Sequence, residues 1–310
     1  MLPTFSVVTP SFQQGQFIER TIQSVVAQDY SNFEYVVCDG GSRDRTIEIL
    51  EQYTQHLRWI SEPDQGQAHA VNKGIALTTG EIIAWINSDD IYYPQAFRQV
   101  ATFFIEHPDT LAVYGQADWI DVSDHAVAAY PTQPWSYSQL TKECYLCQPA
   151  VFFKRDLVRQ AGGLNNALQY CMDYELWLRY GQFTSFGYIP TKLAASRIYS
   201  QNKTFSDRLK VHHEVNYMQK EILGYSTKNW IFEYSKLKSE QSAQTKLQRS
   251  LFLLTFLRIS IQSCWIFNKA IAPIILAKVL INCLFKKDSH LSQENTSRIL
   301  EFISDSHHKH

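Results

Sequence analysis

The sequence predicts an α/β fold with a mostly parallel central sheet flanked by helices, a nucleotide-binding edge and a C-terminal helical extension. Three observations carry this. Short apolar, β-rich runs alternate with helix-period segments over the first part of the chain. Their starts fall roughly 25–30 residues apart, the length of a strand–helix–strand unit. Each of the first four runs ends in polar, loop-forming residues.

The strand-like runs are residues 5–9, 35–38, 57–60, 82–86 and 111–114. After the first, Phe17, Ile18, Thr21, Ile22, Val25 and Val26 recur at helical spacing. Ala96, Phe97, Val100, Ala101 and Phe104 do the same behind Pro94, a residue suited to a first helical turn. From about residue 118 the alternation weakens. Trp119, Trp135, Tyr137 and Tyr145 sit among polar residues, as expected of irregular structure closing over a sheet. A helical pattern resumes at 173–180, a strand-like piece spans 192–198, and from 207 to 285 the chain reads as helices. The expected division is a catalytic domain over 1–205, a helical extension over 206–287 and a polar, disordered tail over 288–310.

Composition narrows the function. Apolar residues make up 45% and charged residues 19%, a globular balance, and a net charge of −1 gives no bulk attraction for nucleic acid. No basic segment followed by an apolar core opens the chain, so a cytoplasmic location is expected. Cys144 and Cys147 form a C-x-x-C pair with Cys171 further on, but no fourth ligand stands at zinc spacing, and reduced thiols are expected.

Ligands of open parallel sheets bind outside the carboxyl ends of the strands. Here those ends read Thr9-Pro10-Ser11, Asp39-Gly40-Gly41-Ser42, Glu62-Pro63-Asp64 and Asn87-Ser88-Asp89-Asp90. Any one could be turn chemistry, since Asp, Gly, Ser and Pro favour loops. Four at corresponding positions point to a binding edge. Asp89 and Asp90 close an otherwise apolar strand. Carboxylates at such a rim need compensation, which a hard divalent cation supplies while completing its shell with substrate phosphate. The competing reading is helix capping ahead of Pro94.

These residues form a pattern. F-S-V-V-T-P-S-F, D-G-G-S-R-D-R-T, N-K-G-I, W-I-N-S-D-D, Q-P-A-V-F-F, G-G-L and M-D-Y-E-L-W-L-R, in that order, resemble the family 2 glycosyltransferases, inverting enzymes of GT-A fold. The resemblance spans about residues 4–205. It implies that Thr9, Pro10 and Ser11 shape a nucleotide pocket, that Asp39 binds base or ribose, and that Asp64 lies near the base. Lys73 would lie near the nucleotide or its phosphates. Asp90, with Asp89 and Ser88 beside it, would match the DXD motif and hold Mn²⁺ or Mg²⁺ on the diphosphate. Asp173 would be the base that activates the acceptor. Arg197 would stand close to the diphosphate. Gln148, Gly163 and Trp177 fall in the motifs of the acceptor and sugar region.

Three positions depart from the family pattern. Met172 replaces an acidic residue before the base, Tyr199 stands where many members carry a metal-reaching His, and Asn87 replaces an acidic start to the metal motif. A Q-x-x-R-W string at Gln55, Arg58 and Trp59 precedes the metal motif, the wrong order for a processive synthase, so single-sugar transfer is expected. By position alone, Asp173 is equally a helix cap.

Other enzyme classes lack their marks. A sugar-phosphate nucleotidyltransferase would want Arg and Gly after the first strand, where Thr9 to Gly15 holds no Arg or Lys. Neither G-x-G-x-x-G nor G-x-x-x-x-G-K occurs there. A non-catalytic nucleotide-sugar-binding scaffold on a degenerate transferase fold is the alternative.

The expected partners are a nucleotide-diphosphate sugar, with UDP the commonest carrier, and a saccharide or lipid-linked acceptor. Residues 246–287 hold seven Lys or Arg and no acid amid strongly apolar sequence. Arg258 and Lys269 share a helical face; beyond Pro273, Lys278, Asn282 and Lys286 form a second polar stripe. No stretch is a bilayer-spanning ~20 apolar residues. The region fits helices lying on the inner face of an anionic membrane, or packing on protein, including a second copy in a homodimer.

Overall fold

The structure is a computed structural model that describes residues 2–242 and 249–267. Strand and helix alternate first: β1 (Phe5–Ser11), α1 (Ile18–Val26), β2 (Phe33–Asp39), α2 (Thr46–Gln52), β3 (Arg58–Ser61), α3 (Gln67–Ala76) and β4 (Ile82–Trp85). Next come β5 (Ile91–Tyr92), α4 (Ala96–Glu106), β6 (Ala112–Ile120), β7 (Ala126–Ala129) and α5 (Tyr137–Leu140). A 3₁₀ turn at Gln148–Ala150 leads into β8 (Val151–Lys154), α6 (Arg155–Ala161), α7 (Met172–Tyr180) and β9 (Gly187–Arg197). Helices α8 (Lys203–Ser206), α9 (Arg208–Leu223), α10 (Lys228–Ser242) and α11 (Arg249–Phe267) complete the described chain.

The α/β class and the C-terminal helices stand as the sequence predicts. The described residues fall into two compact units, one of residues 2–137 with 144–198, the other of 138–143 with 199–242 and 249–267.

In the first unit the sheet runs β3-β2-β1-β4-β8-β6-β9-β5, with β7 paired to β6. β3, β2, β1 and β4 are mutually parallel, in register through Val8 with Val36 and Trp85. Beyond β4 the sheet is mixed: β8 is antiparallel to β4 and β6, β9 parallel to β6, and β5 antiparallel to β9. The parallel half follows from sequence. β1 is buried at every position and β4 likewise, as strands covered on both faces must be.

Helix α1 buries Ile18, Thr21, Ile22 and Val25 on one face, the stripe its spacing dictates. Helix α4 begins at Ala96 behind Gln95, whose backbone is left-handed, so Pro94 lies outside the helix and not in its first turn. The core on this side is aromatic. Phe5 stacks on Phe97 with centroids 4.8 Å apart, meets Tyr30 edge-on at 5.2 Å, and Tyr92 stacks on Phe152 at 5.6 Å. Helix α3 covers the sheet through Gly74, where a Cβ would stand 2.3 Å from Val8 Cγ1. Only a glycine lets helix and strand approach so closely.

In the second unit, α9 ends at Gly224 in the left-handed conformation, the usual helix stop. Asn216 and Gln219 are buried at that turn and take Ser226 and Thr227 as partners. Gln219 and Thr227 both donate to the Thr141 carbonyl, which ties residues 138–143 to this unit. Ile231, Tyr234, Cys264 and Phe267 form its apolar cluster. Among the described residues no helix is long and apolar enough to cross a membrane. Of the basic and apolar region 246–287, only 249–267 lie among the described residues; Lys269, Pro273, Lys278, Asn282, Lys286 and the tail 288–310 lie outside them.

Candidate active site

Parallel pairing brings the four polar clusters to one edge of the sheet. Ser11 is paired with Asp39, and Asp39 with Ser61. Ile86 continues β4 by donating its amide to Val8 at 3.0 Å, which carries Asn87, Ser88, Asp89 and Asp90 out at the same edge.

At this edge the loops after β1, β2 and β3 clasp one another. The Asp39 carboxylate accepts from the Gly41 and Ser42 amides at 3.0 and 2.8 Å and from the Ser61 hydroxyl at 2.6 Å. Ser42 Oγ also accepts the Gln13 amide, Asp44 the Gly15 amide, and Thr46 the Gln14 amide. The run D-G-G-S-R-D-R-T thus holds the loop after β1 as well as its own. Asp64 accepts the Gly66 amide at 2.8 Å. Its carboxylate also lies against Gly40, where a Cβ would meet it at 3.0 Å.

Thr9 is buried and pairs with the Tyr35 hydroxyl at 3.0 Å, and Pro10 is buried in the strand. Ser11 is different: it is buried at the strand end and its Oγ has no hydrogen-bond partner, an orphan a ligand could satisfy. Lys73 is engaged by Glu62, Nζ to Oε1 2.7 Å.

Phe12 escaped the sequence reading. It is 61% exposed beside Gly40, an unusual place for a large aromatic ring unless something flat stacks on it. Its signal in the sequence was an apolar residue one step past the strand's polar end.

The acidic motif after β4 is a network centred on Asn87. Its Oδ1 accepts from Gln67 Nε2 at 2.7 Å and Trp85 Nε1 at 3.0 Å, and its Nδ2 donates to Asp90 Oδ2 at 3.3 Å. An aspartate there could not donate, so the departure from the acidic pattern has a local reason. Asp90 is buried, and its Oδ1 accepts the Arg197 amide at 2.9 Å. Burial, then the charge of Asp89, hold the Asp90 carboxyl well above the usual carboxylate range against the pull of Arg197 and Ser196. Asp89 is only half-buried. Ser88 is buried between the motif's polar ends.

Two adjacent carboxylates, one buried and one half-buried, fit a hard divalent cation. Among the described residues no three His, Cys, Asp or Glu side chains converge as a complete cage. The pair would therefore leave most of the coordination shell to phosphate and water.

Arg197, which the resemblance sets close to the diphosphate, ends β9 against the acidic motif. Its guanidinium is fully buried, donates to the carbonyls of Asp89 and Asp121, and pairs with Asp124. These acceptors occupy most of its planar fork.

Asp173 lies in the first turn of α7, half-buried. The helix cap is Cys171, without a side-chain capping bond, so Asp173 is not the cap. Glu175, its acidic neighbour, is clamped by Arg179 at 2.8 and 2.7 Å. Arg179 also donates to the Gly163 carbonyl at 2.7 Å, and Asn72 holds Leu164 through both its backbone groups. A Cβ at Gly163 would stand 2.3 Å from Asn72 Oδ1. The N-K-G and G-G-L motifs therefore interlock, a long-range link invisible in either string.

Asp90 and Asp173 meet electrostatically at Cys147. Burial first, then the charges of Asp90, Cys144, Asp173 and Asp118, push that thiol well up. Gln148 beside it donates to the Trp85 carbonyl at 2.7 Å and leaves a buried Oε1 without a partner. Trp177, expected in the acceptor and sugar region, is a core residue here. It is completely buried, packed edge-on against Phe153 at 5.9 Å and Phe186 at 6.2 Å, and presents no face to an acceptor.

The model of glycosyl transferase family 2 matches residues 6–171. The chain belongs to that family. The match holds every candidate residue except Asp173, Trp177 and Arg197. A chondroitin synthase of Escherichia coli is 26% identical over 217 residues, covering 69% of this chain and 31% of that one. Several rickettsial relatives at the same identity are spanned over 42–66% of their own length. The fold is shared with Staphylococcus aureus TarS in complex with UDP-GlcNAc (TM-score 0.58, 16% identity), covering 84% of this chain and 81% of that one. It is also shared with the mannosyltransferase PcManGT of Pyrobaculum calidifontis in complex with GDP-Man and Mn²⁺ (TM-score 0.57, 15% identity), covering 93% and 89%.

Proposed function

We propose that this glycosyltransferase moves a single sugar from a nucleotide-diphosphate sugar to an acceptor hydroxyl with inversion, in cell-surface polysaccharide or glycolipid assembly at the cytoplasmic face of a membrane. The observation that supports the reading is that Asp90 after β4 and Asp173 at the start of α7 both act on the buried Cys147 thiol, at the edge where the four polar strand ends gather.

Phe12 offers a ring for the base, with Asp39 and Asp64 bordering it and the orphan Ser11 hydroxyl facing the ribose or phosphates. Asp89 and Asp90 would hold a divalent cation, with Asp89 the more accessible carboxylate. Bound there, such a cation neutralises charge developing on the departing diphosphate. Asp173 takes the proton of the acceptor hydroxyl as that oxygen attacks the anomeric carbon from the face opposite the leaving group. Glu175 is held by Arg179 and orients α7. Cys147 stays a neutral thiol and takes no part.

The test is thermal shift against UDP- and GDP-sugars with and without Mn²⁺, repeated with Asp90→Asn. Nucleotide sugar should raise the Tm, more so with Mn²⁺, through preferential binding to the native state. Asn at 90 keeps an acceptor for the Arg197 amide, so the fold should survive and only the Mn²⁺-dependent part disappear. No response to any nucleotide sugar would leave the scaffold reading in its place.

A further inference from the structure

We infer that Arg197 is a positioning residue for the Asp89–Asp90 motif and not a ligand of the diphosphate. The inference rests on the metal reading of that motif.

The reach of this one residue is the reason. Its backbone amide donates to Asp90 Oδ1 at 2.9 Å, and its Nε donates to the Asp89 carbonyl at 2.7 Å. One residue at the end of β9 therefore grips both members of the pair, one by its side chain and the other by its peptide. The far side of the guanidinium is bound as well, to the Asp121 carbonyl and the Asp124 carboxylate, and Phe17 lies under it with the ring centroid 4.9 Å from Cζ. Asp124 holds a left-handed backbone and is shared with Arg20 at 3.2 Å. Thr21 completes the grip by donating to the Asp90 carbonyl at 2.7 Å.

A cation on Asp89 and Asp90 would otherwise hang on a loop. Ligand geometry is set by the groups that orient the ligands, and loosening them weakens metal binding without touching the first shell. Only a planar fork serves several acceptors at once; an ammonium at 197 would keep the charge and lose part of the grip.

The test uses the full chain with Arg197→Lys. Binding of UDP, with GDP in parallel, is read by thermal shift in EDTA and across a Mn²⁺ titration. Nucleotide binding in EDTA should match wild type, while the Mn²⁺ concentration for half of the metal-dependent shift should rise about tenfold, the scale of a lost orienting partner. An unchanged Mn²⁺ requirement overturns the inference. Weakened binding in EDTA also overturns it, because that is the mark of a direct diphosphate ligand. If wild type shows no Mn²⁺ response with either nucleotide, the metal reading fails and takes the inference with it. Should the lysine variant not fold, Asp124→Asn removes the counter-ion and leaves Arg197 in place. A severalfold rise in the Mn²⁺ requirement is then expected, and no rise refutes the idea.

Discussion

At the scale of single residues, chemistry at this edge depends on which carboxylates the fold has already occupied. Asp39 and Glu175 are saturated by donors, Asp90 is partly so, and Asp89 and Asp173 are the half-buried ones. We propose Asp173 over Glu175, two positions on, as the proton acceptor because Arg179 holds both Glu175 carboxylate oxygens. Asp173→Asn keeps size and removes the proton acceptor. Transfer should slow by roughly 10²-fold or more, the usual scale for a general base, with donor affinity near normal. Steady-state kinetics decide this, and a rate within a few-fold of wild type would send the search for the base to another group. The sequence made both aspartates visible, but it could not say that neighbouring Asp89 and Asp90 differ in burial. Nor could it show that Arg197, more than a hundred residues away, bonds the Asp90 carboxylate and the Asp89 carbonyl.

At the scale of elements, the site depends on α3 lying close against β1. Gly74 permits this, and Asn72 and Lys73 beside it then reach Leu164 and Glu62. Gly74→Ala would set a Cβ 2.3 Å from Val8. Val8 is in a fully buried strand and has nowhere to move. Overpacking of this kind costs about 1–3 kcal/mol, more than the ~1 kcal/mol a helix gains from Gly→Ala. Tm should fall by several degrees, at roughly 2–4 °C per kcal/mol for a unit of this size. A differential scanning trace with unchanged or higher Tm would contradict the close packing of α3.

At the scale of the whole molecule, acid should destabilise the fold. Burial raises the Glu34, Asp44 and Asp121 carboxyls, but hydrogen bonds to each outweigh it, and all three end below their ordinary values. Glu34 accepts from Ser6 and from the Thr79 and Gly80 amides, Asp44 from Gly15 and Thr46, and Asp121 from Ser123 and His125. Each binds its proton less readily folded than unfolded. Their contribution is therefore complete above the unfolded carboxylate range, near pH 4, and is lost as pH falls through the lower folded values. Tm measured from pH 6 down to pH 3 should drop mainly below about pH 4, and a flat profile there would refute it. The proposed membrane location is tested on the same scale. With seven basic and no acidic residues over 246–287, the chain should sediment with anionic vesicles more than with neutral ones, and less so in high salt. Equal recovery in the supernatant with both would assign that region to protein packing.

The sequence by itself determined the α/β class, the parallel half of the sheet, the family and the polar strand ends that gather at one edge. These are local signals: period, burial on both faces and turn chemistry can be read within a few residues. Short strands such as β5 and β8 gave too little length for a period. The mixed half of the sheet was likewise illegible, because β8 sits between β4 and β6 only through long-range pairing. Tertiary structure alone decided that Trp177 is core, that Phe12 stands exposed, and that Arg197 grips the acidic pair. The physical reason is the same in each case. Burial and hydrogen-bond occupancy belong to a residue's neighbours in space, and at this site those neighbours come from distant parts of the chain.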